Sequence, residues 1–151
     1  MANFVYDLSS NYVVTPTLYG TTTGVSTDAN AQGSSVDVST CIGVAISAVA
    51  VVGARTGTNP TMDLKMQEST DGTTWTDAVL YDGTTAVFSQ FTTSGSDTIT
   101  YAPLKRYQRC TGTVAGTNPV FPTTVTVIAP LHVGPTGYGG FNNTSAAGNA
   151  G

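Results

Sequence analysis

The sequence predicts an all-β domain, an antiparallel β-sandwich of about eight strands with extended terminal arms. Three observations predict it. Apolar residues alternate with polar ones in several short runs, the period of a strand. The 17 Gly and 7 Pro residues fall between those runs, where turns need them. Thr is the commonest residue, at 28 positions, and its branched side chain suits a half-buried pleated surface. The 151 residues suffice for one domain with a core that needs no staples.

Residues 1–35 read as an N-terminal arm with an edge strand. Tyr12-Val13-Val14 and Thr17-Leu18-Tyr19 are the short apolar runs there, and residues 21–35 read as a loop rich in Thr, Gly, Ser and Asn. The sandwich core spans residues 36–130. Val36, Val38, Thr40, Ile42, Val44 and Ile46 alternate with mostly smaller or polar neighbours and predict the first strong strand. The large residues then change phase to Val49, Val51 and Val52, which predicts a bulge or bend near Ser47-Ala48. Arg55 to Pro60 reads as a turn.

The clearest alternation follows: Met62, Leu64 and Met66 against Asp63, Lys65 and Gln67. Asp71-Gly72 is a hairpin signal. Residues 75–81, 86–91, 97–101, 105–114 and 121–129 complete the strands. Gly57-Thr58-Asn59-Pro60 is echoed by Gly116-Thr117-Asn118-Pro119, which reads as the same connection used twice before a strand. Residues 131–151 read as a flexible, Gly-rich C-terminal arm, with Tyr138 and Phe141 as candidate aromatic anchors on a neighbouring subunit.

Charge is scarce. Five Lys or Arg and nine Asp or Glu give a net charge of −4, against roughly a quarter of all residues in an ordinary domain. A surface made polar by Thr, Ser and Asn loses little hydration when a partner covers it, which suits permanent assembly. The plainer reading is that β proteins are often Thr-rich. The acidic balance argues against nucleic acid as a direct partner. Lys105, Arg106 and Arg109 are the one basic cluster, and strand alternation would put Lys105 and Arg109 on one face and Arg106 on the other. They are candidate contacts for a protein partner.

Residues 1–7 show no basic and apolar regions of a secretion signal. The apolar stretch Ile42 to Val52 is shorter than the roughly 20 residues a membrane helix needs. Cys41 and Cys110 are too few for a disulfide scaffold and read as small core residues, with a bridge between them left open.

No catalytic constellation is visible. His132 has no second His or Cys at ligand spacing, and no Gly-x-Ser-x-Gly elbow is present. Glu68 is the only Glu, and several of the eight Asp stand in turns. The expectation is no enzyme and no cofactor. Ser69-Thr70-Asp71-Gly72-Thr73-Thr74-Trp75 resembles the Asp-box hairpin of sialidase-type propellers, but lacks the residue between Asp and Gly and occurs once. Its hairpin mechanics carry over: Asp71 and Gly72 turn the chain, and Trp75 folds over the hairpin or into the core. A carbohydrate-binding module is the alternative function, with Trp75, Tyr81 and Tyr101 as stacking candidates.

Met62 to Asp77, Met-Asp-Leu-Lys-Met-Gln-Glu-Ser-Thr-Asp-Gly-Thr-Thr-Trp-Thr-Asp, is similar to a segment common in small structural proteins of tailed bacteriophages. Their pattern is apolar-x-apolar-Gln-x-Ser-x-Asp-Gly-x-Thr-Trp. Leu104 to Phe121 resembles the same proteins' strand, Gly-Thr-x-Pro turn and returning strand, with Gln108 standing where the family has an apolar residue. The resemblance covers residues 36 to 130, and its motifs are largely turn chemistry. It implies a jelly-roll-like sandwich that decorates or cements a capsid, or belongs to a fibre, tail or other virion part. The implied partners are the major capsid protein and further copies of the chain, and the implied location is the capsid exterior after synthesis in the host cytoplasm.

Overall fold

The structure is a computed structural model and describes residues 12–19, 25–26 and 31–130. Its strands are β1 (Tyr12–Tyr19), β2 (Val25–Ser26), β3 (Ala31–Gln32), β4 (Val36–Asp37), β5 (Ile46–Val52), β6 (Thr56–Ser69), β7 (Thr76–Asp77), β8 (Gly95–Tyr101), β9 (Tyr107–Phe121) and β10 (Thr123–Pro130). They form two antiparallel sheets. One has the order β1-β10-β5-β8; the other runs β9-β6-β7, with the two-residue strands β2, β3 and β4 in turn along the free side of β9. Counting those three as one interrupted strand, the ten become eight. In that count the sheets read first-eighth-third-sixth and second-seventh-fourth-fifth, the jelly-roll arrangement of two Greek keys.

The core lies between the sheets. Ile46, Ala48, Ala50 and Val52 of β5 and Val125, Val127 and Ala129 of β10 share one buried cluster with Met62, Leu64 and Met66 of β6 and Cys110 and Phe121 of β9. Period-2 alternation along each strand puts these side chains on the inner faces. Tyr101 of β8 crosses the gap, and its hydroxyl donates to Gln108 Oε1 of β9 at 2.9 Å. Burial, then the charge of Glu68 and the nearby Cys110, pushes the Tyr101 phenol well above its ordinary value, so it stays a donor.

Several expectations from the sequence are met. Residues 12–19 form one edge strand, irregular between Pro16 and Leu18, at the gap between the two apolar runs. Residues 62–67 alternate as expected, and the Asp71-Gly72 hairpin joins β6 to β7. Residues 86–91 follow β6 through bridges at Val87 and Phe91.

Others are corrected. The run from Val36 to Ile46 is not one strand: a 3₁₀ turn at Ser39–Cys41 and Gly43 at φ +76° break it. Val36, Val38 and Ile46 are buried as predicted, but Ile42 is 50% exposed. No bulge lies at Ser47-Ala48, because β5 keeps unbroken register with both β8 and β10. Small Ala48 and Ala50 point inward, and Val49 and Val51 point outward. The expected loop at 21–35 contains β2 and β3. Cys41 and Cys110 are both buried in the core, as read from the sequence, and no disulfide joins them. Burial pushes the Cys110 thiol up to about 12.

The two Gly-Thr-Asn-Pro segments are not separate turns. They lie opposite each other inside β6 and β9, with Thr58 paired to Thr117 and the register shifting on both sides of Thr58. Asn59 and Asn118 take matching left-handed conformations, φ +47° and +48°. The result is a near two-fold double bulge, built from residues that tolerate positive φ.

Candidate interaction surfaces

Two outer faces and one tip of the sandwich are candidates. On the outer face of the β9-β6-β7 sheet, Arg109 stands directly opposite Gln67. Its Nε and Nη2 donate to Gln67 Oε1 at 3.1 and 2.8 Å, and its Nη1 donates to Gln32 Oε1 at 3.1 Å. Its guanidinium lies 4.2 Å from the centre of the Trp75 ring. Partial burial draws the Arg109 pKa down, far too little to discharge a guanidinium. Gln67 Nε2 donates to Asp77, and Asp77 also takes Lys65 Nζ at 2.9 Å.

β9 begins only at Tyr107, so Lys105 and Arg106 precede the strand and only Arg109 is placed by its alternation. Lys105 donates to Thr76 Oγ1 of β7. Arg106 pairs with Asp37 through Nε and Nη2 at 2.9 and 2.7 Å, and lies 4.8 Å from the Tyr107 ring centre. Hydrogen bonds from Arg106 and Ser39 hold the Asp37 carboxyl down, to about 2. All three cations are therefore engaged within the chain. Tyr138, Phe141 and His132 lie outside the described residues.

The stacking candidates separate. Tyr101 is fully buried and cannot meet a sugar, which corrects its candidacy. Trp75 is half-buried rather than in the core, with Arg109 stacked against it. Tyr81 is 70% exposed. Glu68 has a partner the sequence did not show: it is buried, and its Oε2 accepts the Leu104 amide at 3.0 Å. Gln108 is buried too and donates to the Lys105 carbonyl at 2.9 Å. Two buried polar groups thus fix the loop between β8 and β9. Among the described residues, no group of three or more His, Cys, Asp or Glu could hold a metal ion, and no helix is long and apolar enough to cross a membrane.

The outer face of the other sheet was missed from sequence. Its register aligns three rows: Thr100-Ser47-Ile128, Thr98-Val49-Thr126 and Ser96-Val51-Thr124. These side chains alternate with the buried ones of β5, β8 and β10 and face outward. None is charged, and every one is Thr, Ser, Val or Ile. Ser47 and Thr100 hydroxyls are 3.0 Å apart across the strands. The alternating Thr of residues 96–100 and 123–128 was the available signal, masked by reading Val49 and Val51 as core.

Compared with protein-family models, curated proteins and solved structures, the chain has no match. The jelly-roll assignment accordingly rests on the chain's own strand order, and a fold alone does not fix a function.

Proposed function

We propose that this chain is a non-catalytic structural protein of a virion, a decoration or cement protein that binds and stabilises a shell of major capsid protein from outside. The observation that carries this reading is the uncharged nine-residue grid on the β1-β10-β5-β8 sheet. Interface centres are depleted of charge, and Thr and Ser hydroxyls that bond each other lose little when water leaves. The phage-like segments at 62–77 and 104–121 support the same reading. So does the commitment of Glu68 to a loop amide, since that carboxylate serves the fold. Tyr138 and Phe141 are proposed as further contacts of the same assembly.

The test is co-sedimentation with purified particles. Val51→Lys combined with Thr126→Lys places two cations on the grid without touching the core. This variant should bind at least about tenfold more weakly, a loss of roughly 1.4 kcal/mol. Thr113→Lys, on the outer face of the opposite sheet, should bind as the parent does. Equal binding by the grid variant, or absence of the chain from intact particles, would overturn the proposal.

A further inference from the structure

Five large apolar side chains are prominently exposed among the described residues: Ile42, Val51, Tyr81, Val87 and Leu104. Val51 belongs to the grid. The other four fall into two pairs with different surroundings. Ile42 and Leu104 flank a hydrogen bond from the Gly43 amide to the Pro103 carbonyl, at 2.9 Å, and so share one tip of the sandwich. Leu104 is 61% exposed, yet its loop is held rigid. Glu68 takes the Leu104 amide, Gln108 binds the Lys105 carbonyl, and the Val38 amide donates to the Arg106 carbonyl. Burying a carboxylate and an amide side chain costs free energy. Here that cost fixes a loop whose apex is an apolar residue in water, beside Lys105. A preorganised apolar knob of this kind loses little entropy on docking.

The second pair, Tyr81 and Val87, lies on the 79–87 hairpin, closed by the Val79–Thr85 bridge and the Leu80 amide bond to the Thr84 carbonyl. Asp82 sits at its turn and accepts from the Thr84 amide and hydroxyl. The tip is apolar with Lys105 beside it, its ammonium also on Thr76 Oγ1; the hairpin carries Asp82 at its turn, while the Lys65 opposite Val87 is already paired with Asp77.

We propose that copies of this chain associate head to tail, the Ile42/Leu104 tip of one seating on the Tyr81/Val87 hairpin of the next, with Lys105 facing Asp82. Such a contact joins two different patches, so it builds a ring where the rotation closes and an open chain where it does not. The apolar residues supply the attraction and the two charges set the orientation. Self-association of this kind does not depend on a capsid partner.

The experiment is analytical ultracentrifugation of the purified full chain over a concentration series. The parent should show concentration-dependent association. Leu104→Ser and Tyr81→Ser should each weaken it about tenfold or more, with unchanged circular dichroism and melting showing that both fold. Mixing the two variants is decisive. Each keeps the patch the other has lost, so the mixture should form dimers and stop there. A parent that stays monomeric, association that survives both substitutions, or a mixture with no dimer would overturn the proposal. Particle binding, measured separately, bears only on the capsid reading.

Discussion

At the scale of single residues, the double bulge and the aspartates decide most. A Cβ added at Gly57 would stand 2.7 Å from the Asn118 carbonyl oxygen and 2.8 Å from that of Thr117, at φ +105°. Gly116 meets the mirror situation against Asn59 and Thr58, at φ +118°. Both clashes are with backbone, which cannot step aside. Gly57→Ala or Gly116→Ala should therefore cost ~2–5 kcal/mol, strain plus overpacking, in urea denaturation. Asn59→Gly should be tolerated, since Gly also accepts φ +47°; equal losses at positions 57 and 59 would contradict this. The aspartates set the acid limit. Asp71 accepts from the Thr73 and Thr74 amides and from Ser69 Oγ, which hold its carboxyl far below the usual range. Asp77, Asp82 and Asp97 are lowered as well, mainly by Lys65, Thr84 and the Ser89 amide respectively. A depressed folded pKa means that the unfolded chain takes up the proton first as pH falls. The stabilisation is thus complete well above the unfolded value of about 3.9, begins to fade at about pH 5, and is lost as the pH falls through the folded value. For Asp37 it is gone once the pH has passed its folded value, about 2. Denaturation midpoints should be level from neutral pH to about 5 and then drop. Asp71→Asn should flatten that drop, and an unchanged acid limb would refute the assignment.

At the scale of elements, the strands were legible where one face is uniformly large and the other polar, as in β6. They were misread where the two faces reverse that rule. In β5 the inner face is Ala48 and Ala50 and the outer face Val49 and Val51, so hydrophobicity pointed the wrong way. The paired Gly-Thr-Asn-Pro segments were visible as a repeat. Turn chemistry and bulge chemistry use the same residues, however, and only the register of β6 with β9 shows that the copies face each other. Of the candidate contacts, Lys105, Arg106 and Arg109 were found from charge alone; their partners Thr76, Asp37 and Gln67 come from distant strands and left no local pattern. Gln108 is a buried polar residue that links elements. It ties Tyr101 of β8 to the Lys105 carbonyl. Tyr101→Phe should therefore cost ~1–3 kcal/mol by orphaning Gln108 Oε1. In a Gln108→Leu background the same change should cost almost nothing, because the hydroxyl has already lost its partner. Additive losses in that double-mutant cycle would show that the two are not coupled.

At the scale of the whole molecule, the two sheets present opposite chemistry. One outer face carries Lys65, Asp77, Arg109 and their hydrogen-bonded chain, while the other carries the uncharged grid. That asymmetry gives the sandwich an orientation in any assembly, which a uniformly polar surface would not. The same topology governs how the molecule forms. β10 must find β1 across more than a hundred residues, pairing Tyr12 with Pro130, and β9 must lie beside β6 over their whole length before either inner face is covered. Closing such loops comes before any compensating burial. Folding should therefore be slow, in the range of about milliseconds to seconds found for non-local β topologies. Trp75 is the one tryptophan, and its stacking on Arg109 requires β9 to be docked beside β6. Its fluorescence, excited selectively in a stopped-flow dilution from urea, reports that step directly. Arg109→Ala should change the native emission while leaving the slow phase in place, since the pairing of the strands, not the stack, sets the rate. A microsecond relaxation would show that local contacts dominate, contrary to this topology.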